Sequence, residues 1–318
     1  MQCIGVFARL DLADMLADGP KDVDWLARKA GAHAPSLLRL LRALVRLEIV
    51  NQVDERTFAL APLGEPLRRD HPRSLARLAA QRTDPWWQAW GVLYHSIKTG
   101  GTAFEHAYGA PFFSTLSSDP EAAARFDDYM SELAVPLATS VAQVIDLAGT
   151  AHLVDVGGGR GTFAIELARR WPALRATVFD LPGVAQRART EIEAVGLSKR
   201  CDAVGGDFFA EIPPAADAYL LSHVIHNWGD DEAVKTLSRI HDAMAPGAKA
   251  YVVESPIPAG AQPFKAALRD VAMLVLLGSR ERTIAEYRAL LGAAGLTLRE
   301  DVVTDAAAGE HILIATTP

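Results

Sequence analysis

The chain has 318 residues, half of them hydrophobic and 22% charged. That length predicts two domains, or one large domain with a helical appendage, and the even mixture leaves no room for a long disordered arm. With 32 basic against 39 acidic residues the net charge is -7, which argues against nucleic acid or an anionic membrane as partner of the whole molecule.

In chain order, the first eight residues are apolar, without a basic leader or a cleavage-like site, and Arg9 and Asp11 interrupt them early. They read as a core helix. Helical patterns follow at residues 10–16, 23–30 and 35–47, with a short hairpin at 51–60, and together these are similar to a winged-helix unit. Ser36, just after Pro35, is placed to cap the third helix, and Asp54-Glu55-Arg56-Thr57 suits a turn. Such a unit raises the alternative of a DNA-binding regulator, because Arg39, Arg42 and Arg46 form a narrow stripe at helical spacing. Leu37, Leu38, Leu40, Leu41, Leu44, Val45 and Leu47 cover most of the remaining circumference, however, and predict a helix buried on nearly all sides.

From about residue 150 strands and helices alternate, the signature of a doubly wound α/β sheet. Seven strands are predicted at 152–156, 176–179, 202–204, 218–223, 248–253, 296–303 and 311–316, with helices at 162–170, 184–195, 231–244, 265–277 and 284–294. The last two strands have no helix between them, so the final strand is expected to run antiparallel to the rest. The longest apolar run, 271–277, is far too short to span a bilayer. Cys3 and Cys201 are far apart and in no metal-ligand spacing, so neither a disulfide framework nor a zinc site is expected, and a reducing cytoplasm is the default location.

Three predicted strand ends carry cofactor chemistry. Leu153-Val154-Asp155-Val156-Gly157-Gly158-Gly159-Arg160-Gly161-Thr162 runs an apolar strand through a glycine loop into a helix, letting backbone approach a ligand where side chains would clash. Asp180 ends the next strand, where a carboxylate would accept ribose hydroxyls. Both NAD and S-adenosylmethionine satisfy these two features. Gly206-Asp207-Phe208-Phe209 then sets a carboxylate and aromatic rings at the third strand end, a pair suited to an adenine amino group and ring face that a nicotinamide site does not require. Asp155 would hold the methionine ammonium indirectly or brace the loop.

The fourth strand leads into Ser222-His223-Val224-Ile225-His226-Asn227-Trp228, at the end of the sheet where substrates bind. His226 is placed to be a general base, since imidazole can take a phenolic proton near neutrality. A lone histidine is more often structural, and His223, expected within the strand, and His241, on a helix, take no role. Glu254, closing the fifth strand, and Glu281, in Gly278-Ser279-Arg280-Glu281-Arg282-Thr283, are each able to accept the second imidazole N–H, as the third member of a triad does.

Together, residues 155–161, Phe179-Asp180-Leu181-Pro182, Gly206-Asp207-Phe208-Phe209, His226-Asn227-Trp228 and 278–283 resemble, over nearly the whole chain, the small-molecule O-methyltransferases of plant caffeate and flavonoid metabolism and of bacterial aromatic polyketide tailoring. The resemblance implies the class I methyltransferase fold, a Rossmann-like seven-stranded α/β sheet. Residues 1–100 would form a winged-helix-like dimerisation domain, 101–148 linking helices along the substrate pocket, and 149–318 the catalytic domain. It implies S-adenosyl-L-methionine as methyl donor and S-adenosyl-L-homocysteine as product, with Asp155, Gly157, Gly159, Asp180, Asp207 and Phe208 around the cofactor and Ser222 lining its path. It further implies His226 as base, Glu254 and Glu281 flanking it, Phe126, Met130 and Asn227 against a small aromatic hydroxylated acceptor, no metal, and a homodimer in the cytoplasm. Measured against the family pattern, the chain begins late, at Gln2-Cys3-Ile4-Gly5, so part of the customary interface is expected to be trimmed. The family commonly has an aspartate where this chain has Asn227, which removes a charge beside the base, and some bacterial relatives have exchanged methyl transfer for decarboxylation or hydroxylation.

Overall fold

Apolar faces at helical spacing organise the first 91 residues. In the computed structural model, which describes residues 2–72, 74–83, 86–258, 260, 264–305 and 310–318, Met1–Gly91 form one unit and Val92–Pro318 a second. The first unit holds helices Gln2–Arg9, Leu12–Met15, Val23–Ala30 and Ala34–Arg46 and three short strands, β1 (Lys21–Asp22), β2 (Val50–Gln52) and β3 (Thr57–Leu60), paired antiparallel in the order β1-β3-β2. Phe7, Leu12, Leu26, Leu41, Leu44 and Phe58 are its fully buried centre. The β2–β3 turn forms where expected, because Asp54 Oδ1 accepts the Arg56 and Thr57 N–H groups at 2.9 and 2.8 Å.

Two expectations for this unit are corrected. The third predicted helix starts at Ala34 with His33 in the cap position, and Ser36 sits inside the first turn with its hydroxyl 3.0 Å from His33 Nδ1. Proline needs no N–H partner in a first turn, so Pro35 is accommodated inside the helix. Nor is this helix buried on nearly all sides. It buries Leu37, Leu41 and Leu44, leaves Leu38, Leu40 and Val45 half-buried, and exposes Leu47 with Arg39, Arg42 and Arg46. Many leucines do not make a central helix when only one stripe of them meets a neighbour.

The second unit is built on seven strands: β4 (His152–Val156), β5 (Arg175–Asp180), β6 (Cys201–Gly205), β7 (Ala218–Ser222), β8 (Lys249–Glu254), β9 (Thr297–Asp305) and β10 (Glu310–Thr316). Their order is β6-β5-β4-β7-β8-β10-β9, parallel from β6 through β8, with β10 antiparallel to both neighbours as expected. The central strands are apolar on both faces, Ala218, Tyr219, Leu220 and Leu221 of β7 being fully buried, because helices cover both sides. The chain steps from β4 out to β5 and β6, then returns to β7 on the other side of β4, which opens a crevice at the carboxyl ends of β4 and β7. β7 ends at Ser222. His223, expected within the strand, lies beyond it with φ 53°, so the chain turns sharply there. Among the described residues no helix is long and apolar enough to cross a membrane.

Candidate active site

The glycine loop after β4 is shaped by what a side chain would strike. Gly157 has φ 68°, and a Cβ there would lie 2.8 Å from the Val224 side chain; a Cβ on Gly158 would lie 2.6 Å from the Asp155 carboxyl. Gly159, at φ 57°, donates its N–H to Asp180 Oδ2 at 2.9 Å, and the Gly157 N–H reaches the Phe179 carbonyl at 2.8 Å. The loop is thereby tied to the end of β5. Asp155 is buried at 1% exposure, and its Oδ2 has no hydrogen-bond partner among the described residues. Burial, with the Asp180 charge adding to it, pushes the Asp155 carboxyl up to about 7; burial also raises Asp180.

Beyond β6, Asp207 is exposed and its Oδ1 accepts the Phe209 N–H at 2.9 Å, which closes the turn. Phe208 is half-buried, with ring centroids 4.8 Å from Phe209 and 6.0 Å from Trp228. Trp228 also stacks on Phe113 at 5.7 Å. The aromatic pair beyond β6 and the turn beyond β7, remote in sequence, therefore share one cluster. Ser222, half-buried, closes β7 in register with Val253.

His226 lies in a short 3-10 turn, Ile225–Asn227, 6% exposed, and both expected glutamates meet it. Its Nδ1 is 3.1 Å from Glu281 Oε1 and 3.4 Å from Glu254 Oε2, while Glu254 Oε1 accepts the His226 backbone N–H at 3.1 Å. Both carboxylates on Nδ1 make that nitrogen the proton carrier and leave Nε2 as the acceptor. Burial opposes charge on the ring, but Glu254 and Glu281 outweigh it and hold the imidazole above its ordinary range. Glu254 is raised by burial, whereas Glu281, equally enclosed, is held below its ordinary value because His226 and Arg269 oppose the burial. Arg282, fully buried, fastens the turn through the Ile225 carbonyl at 3.1 Å and the Trp228 carbonyl at 2.7 Å, and pairs with Asp230.

Phe126 is half-buried on helix Pro120–Val144, edge-on to Phe112 at 5.4 Å, while Met130, one turn on, is 37% exposed. Asn227 turns inward: its Nδ2 donates to the His223 carbonyl at 3.0 Å, clipping the left-handed turn, a bond no aspartate carboxylate can make.

Several residues here were not singled out from sequence. Arg160 of the glycine loop pairs with Asp128 and Glu191, and Arg187 with Asp127 at 2.5 Å, so both arginines grip the helix that bears Phe126. His223, given no role from the sequence, has its Nδ1 3.9 Å from Glu254 Oε2. Arg269 Nε donates to Glu281 Oε1 at 2.6 Å. A lone arginine in the apolar pattern of 265–277 is the one local signal that marks any of them.

The whole chain is similar to known proteins. The O-methyltransferase domain matches residues 90–297 and the O-methyltransferase dimerisation domain residues 1–70. A phenazine O-methyltransferase of Lysobacter antibioticus is 35% identical over 303 residues, 95% of this chain and 89% of that protein. The solved mitomycin 7-O-methyltransferase superposes with a TM-score of 0.95 at 34% identity, covering 100% of this chain and 94% of the other. An O-methyltransferase of neocarzinostatin biosynthesis, solved with S-adenosylmethionine and 2-hydroxy-5-methyl naphthoic acid, gives a TM-score of 0.91 at 35% identity over 99% of this chain and 95% of its own. With a dimerisation domain ahead of a class I methyltransferase sheet, the chain belongs to the O-methyltransferase family and uses S-adenosylmethionine as its methyl donor.

Proposed function

We propose that this enzyme methylates a phenolic hydroxyl of a small aromatic natural product, with His226 as the base. One observation carries the reading: a buried imidazole at the carboxyl end of β7 has its Nδ1 facing two buried glutamates, which leaves Nε2 to receive a proton. Two of the similar proteins, a phenazine O-methyltransferase and an O-methyltransferase solved with a hydroxynaphthoic acid, support this acceptor class.

The loop residues suit the donor. Gly157 and Gly158 leave no room for a Cβ, and the unpartnered Asp155 Oδ2 is a waiting acceptor for an ammonium. Asp155, Gly157 and Gly159 would hold its amino-acid end, Asp180 its ribose and Asp207 with Phe208 its adenine, with Ser222 along the path. When bound, S-adenosylmethionine supplies a methyl group already activated on a sulfonium, so positioning provides much of the rate. The chain's own part is to orient the hydroxyl, exclude water and move one proton. His226 Nε2 takes that proton, Glu281 and Glu254 stabilise the imidazolium, Phe126 and Met130 pack on the acceptor ring, and Asn227 keeps its side-chain oxygen for the acceptor. The match to a dimerisation domain supports a homodimer as the working form, and two cysteines in no disulfide or metal spacing suit the cytoplasm.

The test is His226→Ala with a panel of hydroxylated naphthoates and phenazines, scored by S-adenosylhomocysteine release. Turnover should fall by about 100-fold or more with cofactor binding nearly intact by calorimetry. Unchanged turnover would remove His226 from the role, and no heat with S-adenosylmethionine would sink the reading.

A further inference from the structure

Glu281 Oε1 is shared. His226 Nδ1 lies 3.1 Å and Arg269 Nε 2.6 Å from the same oxygen, and Arg269 Nη2 reaches the Ser255 carbonyl at 3.3 Å. Arg269 comes from helix Phe264–Leu277, Glu281 from the loop after it, and Ser255 from the residue after β8, so three elements converge on one guanidinium. The Glu281 side chain is fully enclosed while that of Arg269 is 21% exposed.

The charges decide what this contact does. Arg269 brings a positive charge to Glu281 from 2.6 Å, so a protonated imidazole is not the only cation facing Glu281 and Glu254. Without the arginine, less positive charge would oppose the two glutamates, and the ring would hold its proton more tightly. The other groups around the ring do not substitute for Arg269. Glu254 of β8 adds negative charge. His223 of the same turn faces Glu254, Asp270 accepts the Glu281 backbone N–H at 2.9 Å, and Arg282 is engaged by Asp230. The Tyr287 phenol, from helix Ile284–Ala293, is pushed well up by burial first and then by the two glutamates.

We propose that Arg269 is a positioning residue for methyl transfer: by competing with the His226 ring for Glu281 it leaves that ring able to stand neutral, the form that takes the acceptor's proton. This rests on His226 as base. Removing the guanidinium withdraws a positive charge and also gives Glu281 Oε1 wholly to Nδ1–H. Both changes strengthen the ring's hold on its proton.

The experiment is a titration of the histidine rings by nitrogen NMR in the full chain, with and without S-adenosylmethionine, the His226 signal being assigned by its loss in His226→Ala. Arg269→Met should move the His226 titration to higher pH, and the acidic limb of turnover should move with it. Arg269→Lys should return both toward wild type. Arg269→Gln, which retains a donor without the charge, should shift upward as methionine does and serves if the methionine variant does not fold. A folded, cofactor-binding Arg269→Met or Arg269→Gln whose His226 titration coincides with wild type would overturn the proposal, as would a lysine variant shifted as far as methionine. The ring titration needs no acceptor, so turnover surviving in His226→Ala would defeat the base reading while leaving the Arg269 measurement to stand or fall by itself.

Discussion

Replacing Asp155 by asparagine should remove a pH dependence that burial builds into the protein. The carboxyl is 1% exposed, and burial first, with the Asp180 charge adding to it, lifts it from 3.8 to about 7, against a hydrogen bond from the Ala164 backbone that pulls the other way. In the unfolded chain the group ionises near its ordinary value, whereas the folded chain keeps the proton up to neutrality. The folded state therefore binds the extra proton, so this group's contribution is most favourable to folding below about pH 4 and is lost as pH rises to about 7. A displacement of roughly three units corresponds to about 4 kcal/mol, of which roughly 2.5 kcal/mol falls between about pH 5 and about pH 8. Asparagine has the same shape and no proton to lose. The stability of wild type minus that of Asp155→Asn, from urea denaturation of the cofactor-free protein, should therefore decline by that amount across this range. Parallel curves for the two proteins would refute the argument, because they would mean that the folded Asp155 ionises as an exposed carboxylate does.

The glycine loop gives a graded test: Gly158→Ala should weaken S-adenosylmethionine binding by about tenfold or more in calorimetry, since its Cβ meets the Asp155 carboxyl at 2.6 Å. Gly159→Ala, with nothing within 4 Å of an added Cβ, should cost about 1–2 kcal/mol of folding stability through left-handed strain and weaken binding less than Gly158→Ala does; a greater loss of binding in Gly159→Ala would refute the steric account. Arg282→Met leaves the Ile225 and Trp228 carbonyls without that donor and Asp230 with Arg280 alone, so a loss of about 2–4 kcal/mol and a fall in Tm of roughly 10 °C are expected in thermal melts. Asn227→Asp forfeits the bond to the His223 carbonyl, so stability should drop by about 1 kcal/mol and turnover should fall with cofactor affinity unchanged. Wild-type turnover in that variant would show that the amide clip is dispensable.

The sequence by itself determined the parts of this protein that depend on neighbours along the chain. Buried parallel strands read as continuous apolar runs, a loop that must pass close to a ligand reads as glycines, and helices read by their period. Hence all seven strands of the large sheet, the antiparallel last strand and the loop at 155–161 were legible, as was His226 at a strand's carboxyl end. Local pattern misjudged Ser36, His223 and the helix Ala34–Arg46, because which face a helix buries and where a strand yields to a turn depend on what lies opposite. Only the tertiary structure decided that His226, Glu254 and Glu281 meet: they are separated by 28 and 55 residues, and the order β4-β7-β8 with the returning helix brings them within hydrogen-bond reach. It alone made Asp155 a carboxyl that stays protonated up to neutrality and drew Arg269 onto Glu281, since burial and charge act through space and leave no periodicity in the chain.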